Sequence, residues 1–182
     1  MKKFILLFIA LSTGLIINAQ VYTSTSSDVS FDSKTPMEDI YAQTKKAKAA
    51  VSLSKRRIMV KIKMISFKFE KPLMEEHFNE KYVETEKYPD AKFDGLIQGE
   101  ADVTKDGTYQ VKVKGILEIH GVKQERTLEG TLTVADGLVD LKTNFSVVLK
   151  DHKIKVPKVV LKNIAETINV KAHFVCAPRK KQ

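Results

Sequence analysis

Alternation between apolar and polar residues restricts the fold of this chain more than any other feature of its sequence. In four long segments most alternate positions are apolar, and many positions between them carry lysine or another polar residue. This pattern is typical of antiparallel strands that cover a core with one face and meet water with the other. The four series are Ile58, Val60, Ile62 and Met64; Tyr109, Val111, Val113, Gly115, Leu117 and Ile119; Val139, Leu141, Thr143, Phe145, Val147 and Leu149; and Ile168, Val170, Ala172, Phe174 and Cys176.

Turn-forming residues separate these segments. Gly107, the His120-Gly121 pair and Gly137 each lie between two alternating runs, as hairpin connections do. Residues 90–150 are therefore predicted to form a four-stranded antiparallel meander. Further strands are predicted at 28–33, at 48–54, from Arg57 onward and at 166–176, so that the total is about eight.

Three segments depart from the alternation. Apolar spacing over 71–82, with Pro72 in the first turn, predicts one short helix that covers an opening of the sheet. Between Met64 and Phe67 the apolar positions change from even to odd numbers, which predicts a bulge near 65–66. The stretch 151–163 is irregular, and its residues 159–161 fit either a short turn or a strand edge.

About eight strands with one apolar face each need either a sandwich or a closed barrel. Closure removes the exposed strand edges and leaves room for packed side chains or one small ligand. Because consecutive hairpins favour an up-and-down arrangement, we predict an all-β, antiparallel barrel of the lipocalin-like type. Gly95, Gly99 and Gly115 fall in the inward series, where they either leave a tunnel or relieve strain in coiled strands.

The first residues indicate export. Two lysines precede an apolar run from Phe4 to Ile17, and a small residue, Ala19, precedes a polar start. This is the pattern of a secretory signal peptide, and the run is too short to span a bilayer comfortably. We predict cleavage after Ala19, a barrel domain over 20–182, and a periplasmic or secreted location. Removal of Lys2 and Lys3 with this segment lowers the formal charge from +9 to +7. Outside the cytoplasm such a charge affects solubility or attraction to anionic membrane surfaces rather than binding of nucleic acid.

The sequence lacks the local motifs of catalysis. It has no nucleophile elbow, phosphate-binding glycine loop or zinc-binding His-Glu-x-x-His pattern. Its single cysteine, Cys176, lies on an apolar strand face, where a thiol is ordinarily inert packing. The four histidines His77, His120, His152 and His173 show no metal-ligand spacing. We therefore expect a protein that is not an enzyme and that needs no metal or cofactor.

Three further segments carry a resemblance to a known family. They are Met74 to Tyr82 (MEEHFNEKY), Tyr88 to Phe93 (YPDAKF) and Gly115 to Lys123 (GILEIHGVK). In this order and spacing the chain resembles the YceI-like family, best from about Ile65 to Phe174. The resemblance implies a lipocalin-like barrel whose interior takes an isoprenoid or another long lipid chain.

The site expected from this resemblance and from the inward series is an apolar wall with a helical lid. Its expected ligand-binding residues are Ile62, Met64, Phe67, Leu73, Met74, Phe78, Phe93, Ile97, Val111, Val113, Leu117, Leu141, Phe145, Val147, Ile168, Val170 and Phe174. The alternative is a structural or interaction module with a filled interior, acting as a homodimer.

Overall fold

A computed structural model describes residues 20–157 and 162–179 of the chain. These residues are mostly β-strand, with one eleven-residue helix over 72–82. The strands are β1 (Val21–Lys34), β2 (Asp39–Thr44), β3 (Lys48–Ser52), β4 (Arg57–Lys63), β5 (Lys68–Phe69), β6 (Asp90–Ile97), β7 (Gly107–Ile119), β8 (Val122–Ala135), β9 (Leu138–Val148) and β10 (Thr167–Pro178). No helix of the described ranges has both the length and the apolar character needed to cross a membrane.

Pairing of the first strand with the last closes the sheet into an antiparallel barrel. β1 and β10 are paired from Tyr22 opposite Pro178 to Asp32 opposite Asn169. The remaining neighbours follow the order β10-β9-β8-β7-β6-β4-β3-β1, with β2 and β5 attached beyond β1. The predicted closed barrel is thus confirmed, and its apolar series face inward.

Ten strand segments form eight barrel strands, because two of the strands are interrupted. β2 and β3 pair with the same strand in a common register, with Val29 opposite Thr44 and Thr23 opposite Ala50. β5 likewise continues β4 after a short 3-10 turn, Met64–Ser66. The two interruptions touch, since the hydroxyls of Thr44 and Ser66 lie 2.8 Å apart.

The structure corrects three details of the sequence prediction. The change of parity after Met64 is real, but a 3-10 turn rather than a β-bulge produces it. β1 begins at Val21, well before the predicted start, and β2 was not predicted at all. The early start of β1 gives no signal in the sequence because the run of hydroxyl residues over 23–27 carries no apolar alternation. Residues 159–161 and the predicted signal segment lie outside the described ranges.

The other predicted elements are confirmed. β6 to β9 form the antiparallel meander predicted between Asp90 and Lys150. The helix begins at Pro72, as the proline predicted, because its missing N–H and fixed φ suit the first helical turn. Its second half, Phe78–Tyr82, winds as a π-helical turn.

The inward glycines follow from close strand packing. A Cβ atom on Gly115 would lie 2.3 Å from the backbone oxygen of Asp94, so the strands approach there as only glycine allows. At Gly95 the nearest atoms are side-chain ends, at 2.8 and 2.9 Å. Gly99 lies in the loop after β6 at a φ of +86°, outside the inward series in which we had placed it. Close approach, rather than a tunnel, therefore explains Gly115.

We expect Gly115→Ala to destabilise the barrel by about 1–3 kcal/mol, because a backbone atom cannot move aside for the new methyl group. Gly95→Ala is the matched control and should cost less, since the tip of Phe93 can shift. Urea unfolding followed by circular dichroism measures both free energies of unfolding. Equal losses in the two variants would contradict this account of the glycine.

Candidate functional site: a lidded apolar cavity

Two adjoining apolar spaces lie inside the barrel, and together they form a cavity with a larger and a smaller lobe. The larger lobe has a volume of about 430 Å³ and lies beneath the helix. The smaller lobe, of about 100 Å³, lies deeper between the strands. Six residues line both lobes and mark their junction: Val29, Ile62, Ala91, Leu117, Phe145 and Val170.

Polar residues of the larger lobe gather at its open end. Ser33, Glu38, Lys71, His77 and Asn163 contact this lobe from the ends of strands, the helix and the loop before β10. We call these residues the polar rim. An apolar interior below a polar rim suits a molecule with a long hydrocarbon part and a small polar end.

Almost every residue expected from the sequence to bind ligand lines this cavity. The exception is Ile97, which is buried but contacts neither lobe. The larger lobe is lined by Ile62, Met64, Phe67, Leu73, Met74, Phe78, Leu117, Phe145, Val147, Ile168 and Val170. The smaller lobe adds Phe93, Val111, Val113, Leu141 and Phe174.

The sequence prediction missed two kinds of lining residue. Val60 and Leu128 lie on strands and share the inward parity of their neighbours, so the alternation itself could have identified them. Leu149, Ile154 and Ile164 come from the segments before β10. Leu149 continues the alternating series of β9 into the following turn, whereas Ile154 and Ile164 enter the cavity from loops, where no periodic signal marks an inward side chain.

Four phenylalanines hold the helix on the barrel. The ring of Phe78 lies 5.5 Å from that of Phe31, 5.9 Å from that of Phe67 and 5.0 Å from that of Phe69. Aromatic pairs at these separations stabilise beyond their area burial. Leu73, in contrast, lines the cavity and is 59% exposed, so the first helical turn forms part of the opening.

Ionic contacts connect the start of the helix to its surroundings. Lys71 binds Glu38 through a 2.8 Å contact, and the side-chain amide of Asn163 donates to the other carboxylate oxygen at 3.3 Å. Lys68 binds Glu75 in the helix. The hydrogen bond from Lys71 lowers the pKa of Glu38. Exposed pairs of this kind contribute little to stability, so they position the polar rim more than they secure the helix.

His120 joins the segment after the helix to the turn after β9. One ring nitrogen lies 2.8 Å from a carboxylate oxygen of Glu84, and the other lies 3.0 Å from the backbone carbonyl of His152. Glu84, His120 and Lys153 all have positive φ, between 47° and 57°. Residues other than glycine rarely adopt this left-handed backbone conformation, so tertiary contacts must maintain it here.

His120 and His152 therefore lie close together, but their contact joins two segments of the chain and does not form a metal site. His173 instead contacts Asp140, and His77 belongs to the polar rim. Within residues 20–157 and 162–179 no three His, Cys, Asp or Glu side chains come together as metal ligands would. Cys176 is fully buried, and burial raises the pKa of its thiol to about 11.

His152 is fully buried under the turn after β9. One ring nitrogen lies 3.3 Å from the carbonyl oxygen of Val122, while the other has no hydrogen-bond partner among the described residues. Burial lowers the pKa of His152 below its ordinary value of 6.5. Hydrogen bonds to backbone carbonyls and the negative charge of Asp151 oppose this shift, and the positive charge of Arg126 adds to it.

A family model described as the YceI-like domain matches residues 21–176. No protein of curated function matches the chain significantly. Among solved structures, the chain is similar to BcnA of Burkholderia cenocepacia, with 18% identity and a TM-score of 0.69 over 82% of this chain and 95% of that one.

Two other solved structures share the fold. A polyisoprenoid binding domain from Saccharophagus degradans, implicated in plant cell wall breakdown, gives a TM-score of 0.74 at 14% identity over 88% of this chain and 99% of that one. The YCEI protein of Campylobacter jejuni gives 0.61 at 21% identity over 77% and 85%. At such low sequence identities the similarity shows a shared fold alone.

The buried imidazole of His152 makes stability depend on pH. In the unfolded chain it binds a proton below its ordinary pKa of 6.5, whereas burial opposes that proton in the folded chain. Stability from this group is therefore complete above pH 6.5 and falls as the pH decreases, by at most about 1.4 kcal/mol per pH unit. In urea unfolding, the free energy of unfolding should fall less steeply with decreasing pH in His152→Gln than in the wild type. The control His77→Gln should show the same slope as the wild type. Equal slopes in all three proteins would contradict this.

Proposed function

The chain belongs to the YceI-like domain family, and on that premise we propose that it is an exported, non-enzymatic carrier of a long apolar lipid chain. The carrier would act in the periplasm or outside the cell and would hold an isoprenoid or similar chain within the barrel. The observation that carries the proposal is the apolar cavity beneath the helix, with its polar rim.

The volume and lining of the cavity suit such a ligand. Its larger lobe of about 430 Å³ falls within the range of small-molecule pockets, and the smaller lobe extends it along the barrel axis. Each buried methylene contributes about 0.8 kcal/mol, so about ten of them match the cost of association. The binding energy would thus come from the chain, and the polar rim would meet the head group.

The comparisons support the same ligand class. The domain from Saccharophagus degradans is described as polyisoprenoid binding and shares the barrel fold. The alternative of a filled interior, with the protein acting as a structural dimer, needs a core without free volume. The free volume of the two adjoining lobes favours the carrier over that alternative.

Extraction of the purified protein tests the proposal directly. Mass spectrometry of the organic extract should reveal a co-purified apolar molecule. The delipidated protein should then bind cis-parinaric acid, and geranylgeraniol should displace it. Absence of any extracted lipid, together with failure to bind either probe, would overturn the proposal.

Filling the junction between the lobes should reduce uptake. Ala91→Phe places a ring where both lobes meet, so that about two methylenes of the ligand can no longer be buried. This loss should lower the affinity for cis-parinaric acid by about tenfold. Val170→Phe tests the same junction from β10 if the first variant fails to fold. Ala135→Phe, at the exposed end of β8, is the control and should bind as the wild type does. Unchanged affinity in folded junction variants would place the ligand elsewhere.

A further inference from the structure

The barrel wall has an opening between β1 and its neighbour. Pairing runs through Thr23 opposite Ala50 and resumes at Val29 opposite Thr44, so residues 24–28 and 45–49 face each other without ladder pairing. The hydroxyl of Ser24 accepts a 3.0 Å hydrogen bond from the backbone N–H of residue 49 across this interval. A groove follows the opening and extends over the outer side of β4 and β6.

The groove is strongly cationic. Its lining includes Lys45, Lys46, Lys48, Lys61 and Lys92, together with a single acidic residue. That residue is Asp94, whose carboxylate is already bound by both donor groups of Arg57. The lysine charge in the groove is therefore not neutralised by the acid beside it.

Strand register places three of these lysines side by side. Lys48 lies opposite Lys61, and Lys61 lies opposite Lys92. Like charges directly opposite each other destabilise a sheet. Lys61 reaches Asp90 at 2.9 Å, and Lys92 approaches Glu118 only to 4.0 Å. In the part of the chain that the structure describes, Lys45, Lys46 and Lys48 form no ion pair.

Lysines on the neighbouring strands are arranged differently. Lys112 lies opposite Glu129 and contacts it at 2.9 Å, and Lys114 contacts Glu125 at 3.1 Å. There each lysine of β7 has an acidic partner on β8. On β3, β4 and β6 the three lysines of the row share two acidic partners, Asp90 and Glu118, and Lys45 and Lys46 add two further charges to the groove. Positive charge is therefore in excess on this face.

Exposed apolar side chains flank the same row. Met59, Leu96 and Ile116 are 40%, 51% and 42% exposed on β4, β6 and β7. Met59 and Ile116 lie on either side of Asp94 in the register. Lysines interspersed with exposed apolar groups are the composition of a surface that binds at a membrane interface, where lysines meet phosphates and apolar groups enter the acyl boundary.

We propose that this cationic wall, formed by the five groove lysines with Met59, Leu96 and Ile116, docks on an anionic phospholipid surface. The barrel then lies on its side, with β3, β4 and β6 against the head groups and the polar rim at the membrane edge. Of the five lysines only Lys92 also lines a lobe of the cavity, so docking does not rest on the identity of the carried lipid.

Vesicle co-sedimentation tests the docking. The full-length mature protein should bind vesicles of phosphatidylcholine with phosphatidylglycerol, but not phosphatidylcholine alone, and about 1 M salt should abolish binding. The triple variant Lys46→Gln, Lys48→Gln, Lys61→Gln should lose affinity on the order of 100-fold, about fivefold per lysine. The control, Lys112→Gln, Lys114→Gln, Lys123→Gln, removes the same charge from β7 and β8, at residues that line neither lobe, and should lose much less.

Several outcomes would overturn the proposal. They are failure of the wild type to bind anionic vesicles, equal losses in the two triple variants, and binding of inorganic pyrophosphate by a protein that ignores vesicles. Uptake of cis-parinaric acid, measured in parallel, should be unchanged in both triple variants, which also shows that they fold. Loss of uptake in the wild type would reject the carrier function and leave the docking result intact.

Discussion

The structure depends on the pairing between its first and last strands. β1 and β10 are more than a hundred residues apart in sequence, yet their ladder runs from Tyr22 to Asp32 and removes both edges of the sheet. Without it the inward faces of the meander would have nothing opposite them. Closure therefore creates the cavity, since the apolar series can meet across the barrel only when the ring is complete.

Close packing and free volume are distributed unevenly inside this ring. Near Gly115 the strands approach so tightly that no side chain fits, whereas beneath the helix the walls separate and leave the larger lobe. Four phenylalanines then anchor the helix over that lobe. The cavity is thus bounded by tight coiling on one side and by an aromatic cluster on the other, both of which resist its collapse.

Much of the fold and of the cavity wall follows from the sequence, because period-two alternation directly encodes which side chains face inward. It located the meander and the last strand, and nearly all of the residues that it placed in the site line the cavity. It did not predict the hydroxyl-rich start of β1 near Thr25 or the lining by Ile154, because neither produces a periodic signal. Ile97 has the right parity and is buried but lines neither lobe, because parity cannot distinguish a cavity wall from a closely packed core. The pairing of His120 with Glu84 depends on long-range contacts that no local pattern contains.

The interruptions of two barrel strands have a consequence for how the molecule moves. β5 has two residues, pairs only with β2, and is followed at once by the helix. Local opening of a protein begins where few backbone bonds must break. β2 is joined to β1 over six residues, whereas β5 is joined to β2 at two, so the wall is weakest along β5 and the start of the helix. Local opening there leaves the ladders of the other strands intact, so a rigid cylinder and an accessible interior are compatible in one small protein.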